Sequence, residues 1–187
     1  MGCPVDFTGL SVSYACGTIS SGGLKTVYLA DKAELDGLNI IDTTGGVATF
    51  TVATSVKADL VAASNDLLEL GFNNKDGFSN FTDVKTVNAD GSASAVPTIA
   101  MEFVRMDATK RNALEEIALP GAEIVAFIET AAGTKHLVGY DFGMYAATVD
   151  GASGAARTDK NRYQLTLVGD ENVLAYPIDD TEWAKLV

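Results

Sequence analysis

One stretch near the middle of the chain decides the fold. Residues 123–140 read EIVAFIETAAGTKHLVGY. The run from Glu123 to Ile128 is apolar at nearly every position, which is typical of a central strand with both faces buried. The next four residues, Ala131-Ala132-Gly133-Thr134, form a short loop that contains glycine. Lys135 to Tyr140 is therefore predicted to return as the second strand of a hairpin.

Further strands are predicted on both sides of this hairpin from alternating apolar and polar residues. Alternation with a period of two indicates a strand that has one face in the core. The alternating stretches are 48–53, 68–72, 99–104 and 162–167, with shorter strands expected at 24–29 and 38–41. The chain is therefore expected to be mainly β.

One helix is predicted at about 107–118. Asp107 can cap its N-terminus, and Pro120-Gly121 ends it. Its apolar stripe consists of Ala113, Leu114, Ile117 and Ala118. Shorter helical turns are expected at 31–35 and 180–186. Together these elements predict one mainly β domain spanning 1–187, a β-sandwich or flattened barrel with one flanking α-helix.

A protruding arm is predicted at residues 73–97. Its two ends, 73–80 and 88–97, are rich in Asn, Asp, Gly and Ser and are interpreted as exposed loops. They flank a predicted strand at 81–87. A second exposed loop, rich in Gly, Ala and Ser, is expected at 150–159.

The charge of the chain is strongly negative. It carries 25 acidic and 13 basic residues, for a formal net charge of −12. Such a surface repels phosphate, which argues against a protein that binds nucleic acid through its backbone. It suits a surface that nucleic acid passes without binding. No run of 18 apolar residues is present, so no membrane span is predicted.

The residues needed for catalysis are not arranged in any recognised pattern. His136 is the one histidine and is interpreted as structural, and the spacing of Cys3 and Cys16 does not fit zinc. The two thiols could pair across a hairpin or stay reduced. Near-matches to a calcium loop at 72–77 and 86–91 are more simply β-turns. No enzyme activity, cofactor or metal is predicted.

Several segments, taken in order, resemble structural proteins from phages of Bacteroidetes hosts, including crAss-like phages. The similar segments are 27–32, 105–114, 123–128, 135–141 and 154–171, the last containing Asp159-Lys160-Asn161-Arg162-Tyr163-Gln164-Leu165-Thr166. In that group a helix opened by Met-Asp precedes a hairpin, and a Gly-rich segment leads into the Asp-x-Asn-x-Tyr-x-Leu-Thr strand. The resemblance implies a tail-tube-like β-sandwich that assembles into rings in the tail or at the neck.

The first hypothesis is therefore a virion structural protein of the tail tube or a stacked neck ring. Its expected partners are further copies of itself, neighbouring tail or neck proteins, and DNA that passes through the lumen without specific binding. The resemblance implies a location in the virion, after assembly in the bacterial cytoplasm. Residues 1–7 lack the basic start and apolar stretch of a secretory signal. The residues predicted to contact other subunits are Asn74, Asp76, Phe78, Phe81, Arg157, Lys160 and Arg162.

Two alternatives stay open at this point. One is a capsid decoration or head-fibre protein, and the other is a small-ligand-binding β-barrel, which needs a pocket with convergent polar or aromatic groups. A ring subunit is expected to carry its acidic residues on one face, whereas a decoration protein is expected to show no such asymmetry. The basic residues at 105–111 and 157–162 could be a solvated surface or a contact with an acidic second copy.

Overall fold

The computed structural model describes residues 22–52, 55–62, 67–73, 78–154 and 159–186, which contain eleven strands and four helices. The strands are β1 (Leu24–Asp31), β2 (Ile41–Asp42), β3 (Thr49–Phe50), β4 (Leu68–Glu69), β5 (Asn80–Val87), β6 (Ala93–Val104), β7 (Ile124–Thr130), β8 (Lys135–Val138), β9 (Met144–Ala152), β10 (Arg162–Gly169) and β11 (Tyr176–Pro177). The helices are α1 (Lys32–Leu38), α2 (Val56–Ala62), α3 (Ala108–Ile117) and α4 (Asp180–Trp183).

Nine of these strands form one antiparallel sheet that has two halves. The first half has the order β4-β1-β7-β8-β11, and we call it the helix-covered half. The second has the order β9-β10-β6-β5, and we call it the open half. The halves are joined where Ile124 of β7 pairs with Met144 of β9. Strands β2 and β3 form a separate small hairpin.

The two halves enclose a shared apolar core. The helix-covered half contributes residues such as Val27 and Ile128, and the open half contributes Met101 and Leu165, all fully buried. Helix α3 adds Leu114 to the same core. The structure thus confirms the mainly β prediction and the flanking helix at about 107–118. It is a flattened sandwich, because the strands described do not close into a barrel.

A second core lies on the other face of the helix-covered half. Phe127 of β7 points into it, opposite to its neighbour Ile128. Leu35 of α1, Leu60 of α2 and Phe50 of β3 cover it. Strand β7 is therefore buried on both faces, which explains its continuous apolar sequence and confirms it as a central strand.

Local sequence signals act as expected at the ends of elements. The Asp107 carboxylate accepts a hydrogen bond from the backbone N–H of Lys110 at 2.8 Å and caps α3. The loop between β7 and β8 closes through a backbone bond from Thr130 to Thr134, and Gly133 has a φ of 87°. Glycine adopts that left-handed backbone without a steric penalty. Both predictions are confirmed.

Some predicted boundaries were wrong. Residues 93–97 are not a loop but the first part of β6, because the turn at Asn88–Gly91 reverses the chain earlier than expected. Residues 150–152 likewise belong to β9. Within the stretches 48–53 and 68–72, which were predicted as strands, only two residues each form a regular strand, namely β3 and β4.

Two elements were not predicted. Strand β9 has the sequence Met-Tyr-Ala-Ala-Thr-Val-Asp-Gly-Ala, which does not alternate between apolar and polar residues. It forms because β10 pairs with it along most of its length. Helix α2 is short and lies on the second core, with Leu60 buried. Of the helices in the described ranges, none has the length and hydropathy to cross a membrane.

Candidate subunit interface

The open half has an outer face that no helix or strand of the described ranges covers. Met101 of β6 and Leu165 of β10 pair with each other and point into the shared core, so the residues next to them in each strand point outward. The outward residues include Thr82, Val84, Val96, Thr98, Tyr145, Thr148, Thr166 and Val168, which we call the outer patch. None of the eight is charged, and Val84 and Tyr145 are 58% and 54% exposed.

Strand β5 lies at the edge of the open half. All eight of its residues pair with β6, from Asn80 opposite Ala100 to Val87 opposite Ala93. On its other side it pairs with no strand among the residues described. An edge strand presents backbone N–H and C=O groups that can pair with another chain. The pairing of β6 with β10 ends at Thr98, which lies opposite Val168. The tip of the β5–β6 hairpin extends beyond this point.

At the other end of the outer face lies a buried carboxylate. The Glu102 side chain is fully buried and accepts hydrogen bonds from Arg162 Nη1 at 2.5 Å and Lys160 Nζ at 3.2 Å. The side-chain amides of Asn73 and Gln164 also donate to it, at 3.3 and 3.4 Å. Lys160 and Arg162 were predicted as subunit contacts. Within their own chain they balance the charge of Glu102.

The aromatic residues predicted as contacts are partly buried. Phe81 packs against the shared core, and its ring lies 5.9 Å from that of His136 on β8. Phe78 is half-buried, and its carbonyl accepts from the side chain of Asn80 at 2.6 Å. Three other predicted contacts, Asn74, Asp76 and Arg157, lie outside the described residues, as do Cys3 and Cys16. The contact roles of all these residues stay predictions.

His136 lies between the two halves of the sheet, beside Asp83 of β5. Its Nδ1 and one carboxylate oxygen of Asp83 are buried, and neither has a hydrogen-bond partner among the described residues. Burial lowers the pKa of His136, and the nearby Asp83 carboxylate opposes that effect. The other oxygen of Asp83 accepts from the backbone N–H of Ala175 at 2.6 Å. These contacts tie β5 to the edge of the helix-covered half.

The layer that covers the second core is acidic. It consists of segments 31–52, 55–62 and 179–186 and carries eight acidic and three basic residues: Asp31, Glu34, Asp36, Asp42, Asp59, Asp179, Asp180 and Glu182 against Lys32, Lys57 and Lys185. We call it the acidic layer. Because it packs on the helix-covered half, it lies on the opposite side of the sandwich from the outer patch.

The loop between β8 and β9 was not identified from the sequence. It begins at Gly139 and ends at Gly143, which have φ values of 77° and 83°. The buried Glu171 carboxylate accepts from the backbone N–H groups of Asp141 at 2.9 Å and Phe142 at 3.3 Å. Burial raises the pKa of Glu171, although these two bonds oppose the shift. The loop holds the Phe142 side chain 56% exposed. The paired glycines around Tyr-Asp-Phe were its one sequence signal.

Comparison with known proteins adds nothing to these observations: no protein-family model, curated protein or solved structure matches the chain. In the part of the chain that the structure describes, no three His, Cys, Asp or Glu side chains are placed to hold a metal ion. The candidate functional site is therefore a set of surfaces. It comprises the outer patch, the edge of β5, the acidic layer and the Phe142 loop.

Proposed function

We propose that this protein is a virion structural protein whose copies assemble into the tail tube or a stacked neck ring around DNA. The observation that carries the proposal is the unequal charge of two opposite faces. The acidic layer has eight acidic and three basic residues, whereas the opposite face carries the uncharged outer patch, the exposed Asp150 and a buried Glu102 that Lys160 and Arg162 balance. A decoration protein has no need of this asymmetry.

Each face has a role in such a ring. The acidic layer faces the lumen, because like charge suppresses binding of the DNA phosphates. The edge of β5 lies at the side of the sandwich, where backbone pairing with the next subunit joins the copies. The outer patch then faces away from the DNA, toward neighbouring virion proteins, and its lack of charge removes a desolvation cost on contact.

The test is to shorten the β5–β6 hairpin without disturbing the core. Residues 86–94 are replaced by Asn-Gly, a two-residue turn that suits antiparallel strands. This change keeps Phe81 in the shared core and keeps the bridge between Ala95 and Glu171. As a matched control, the loop at 131–134, which lies on the other half of the sheet, receives the same Asn-Gly replacement.

Negative-stain electron microscopy and mass photometry over a range of concentrations give the result. The natural chain and the control are expected to form rings or tubes with a central hole. The shortened hairpin is expected to give folded monomers, because the tip of the hairpin, with the last two residues of β5, is lost. Rings formed equally well by the shortened chain would contradict a role of this tip in joining the subunits. A strict monomer for the natural chain would contradict self-assembly and favour a decoration or ligand-binding domain.

A further inference from the structure

We propose that successive rings stack head to tail, with Phe142 of one copy inserted into an apolar cleft beside α3 of a copy in the next ring. This inference rests on the proposed function and specifies a second contact, distinct from the edge of β5. The occupant of the cleft is thus a second copy of the same chain.

The cleft is apolar and large enough for a phenyl ring. Its volume is about 220 Å³, and its lining includes Leu68, Leu70, Phe103, Ala113, Leu114 and Ile117. An apolar cavity of about 150 Å³ with similar walls suffices to bind benzene. The site therefore fits an aromatic side chain from outside the subunit.

Phe142 is held ready for such an insertion. The buried Glu171 fixes the backbone of Asp141 and Phe142, and Gly139 and Gly143 fix the two ends of the loop. Burying a carboxylate costs free energy, and here its hydrogen bonds order a loop that exposes an aromatic ring. A rigid aromatic anchor loses little conformational entropy on binding, which is typical of the residues that dominate interfaces.

The two partners lie at opposite ends of the sandwich. Phe142 lies just before Met144, the first residue of β9. Phe103 of the cleft and Gly151 of β9 both pair with Tyr163 of β10, so they lie at the same height along the strands. Gly151 is next to the last residue of β9. At about 3.3 Å per residue these two levels are about 23 Å apart along the strand. A contact between different patches at opposite ends is heterologous, and it repeats along an axis.

Charges beside the two partners are complementary. Asp141 precedes Phe142, and Lys110 lines the cleft next to its own partner Asp107. Arg111 follows on the same helix, where it pairs with Glu115 one turn on. The segment 105–111 nevertheless has three basic residues against one acidic residue, in a chain whose net charge is −12. Rim charges of this kind set orientation more than affinity. They favour the acidic loop of a second copy over a basic partner.

Two variants each remove one side of the contact. Phe142→Ser removes the inserted ring, and Ala113→Trp fills the cleft from α3. Leu174→Ser is the control for the first, since Leu174 is a similarly exposed apolar loop residue. Asn112→Trp is the control for the second, since Asn112 is exposed on α3 and does not line the cleft.

Electron microscopy of stacked rings distinguishes the outcomes. The natural chain and both controls are expected to form long stacks, and Phe142→Ser and Ala113→Trp are each expected to form single rings only. Mixing the two variants is expected to yield stacks of two rings, because one supplies the cleft and the other supplies Phe142. Long stacks from either variant, or single rings alone from the natural chain, would overturn the stacking inference and leave ring formation intact. The absence of any ring from the natural chain would overturn both proposals.

Discussion

Glu102 illustrates how a single buried charge organises one end of the outer face. Its side chain is fully buried, whereas Arg162 and Lys160, which balance it, remain 31% and 46% exposed. The two sides of this network are therefore unequal. Without the carboxylate, both cations can reach water, whereas without Arg162 the carboxylate stays buried with less compensation.

This inequality predicts unequal costs of substitution. We expect Arg162→Met to lower the free energy of unfolding by about 2–4 kcal/mol, because a buried charge loses one partner. We expect Glu102→Met to cost only about 1 kcal/mol, since it removes the buried charge and leaves Lys160 and Arg162 partly exposed to water. Urea unfolding measures both, with Arg111→Met, at a solvent-exposed ion pair, as the control. Equal costs for the two variants would contradict this account.

At the scale of elements, the loop between β8 and β9 is constrained more tightly than the loop between β7 and β8. A Cβ at Gly139 would lie 2.5 Å from Met144 Cγ and 2.9 Å from the carbonyl oxygen of Ile124. A Cβ at Gly133 would meet no other atom within 4 Å among the described residues. Both glycines have positive φ, so the two sites share a backbone conformation and differ in the room available for a side chain.

The comparison predicts a difference between two otherwise identical substitutions. Gly133→Ala is expected to cost about 1–2 kcal/mol, the penalty for an L-residue in left-handed backbone. Gly139→Ala carries the same penalty and is expected to cost about 1–3 kcal/mol more, because the neighbouring atoms must move. Chemical unfolding of both variants tests this. If Gly139→Ala proved as mild as Gly133→Ala, the loop would be looser than its contacts indicate, and the stacking inference would lose its rigid anchor.

At the scale of the whole molecule, net charge opposes self-assembly. Each copy carries a net charge of −12, so copies repel one another at long range. The local attraction between Asp141 and the basic segment 105–111 acts only after close approach.

Assembly is therefore expected to strengthen with salt. Raising the salt concentration from about 0.01 M to about 1 M shortens the screening length from about 30 Å to about 3 Å. We expect the concentration needed for half-assembly, measured by mass photometry, to fall over this range. A rise instead would show that ion pairs hold the copies together and that apolar and backbone contacts are secondary.

Sequence patterns identified only some of the surfaces that make up the candidate site. The strand at 81–87 and the excess of acid could be predicted, because flanking loop residues and composition are local properties, whereas the edge position of that strand could not. The outer patch was not predicted, because it combines residues from β5, β6, β9 and β10 through their register. The Phe142 loop was missed because Glu171, which orders it, lies about 30 residues away.

The sequence by itself determined the mainly β class, the central strand at Glu123–Ile128, the flanking helix with its Asp107 cap and the net charge. Each of these depends on side-chain periodicity or on composition within a short window. Only the tertiary structure decided that the sheet folds over into a sandwich, that two acidic segments far apart in the chain cover the same face, and that Lys160 and Arg162 balance Glu102. These features depend on pairings between residues far apart in the chain. Strand register sets such pairings, and a local sequence pattern does not specify them.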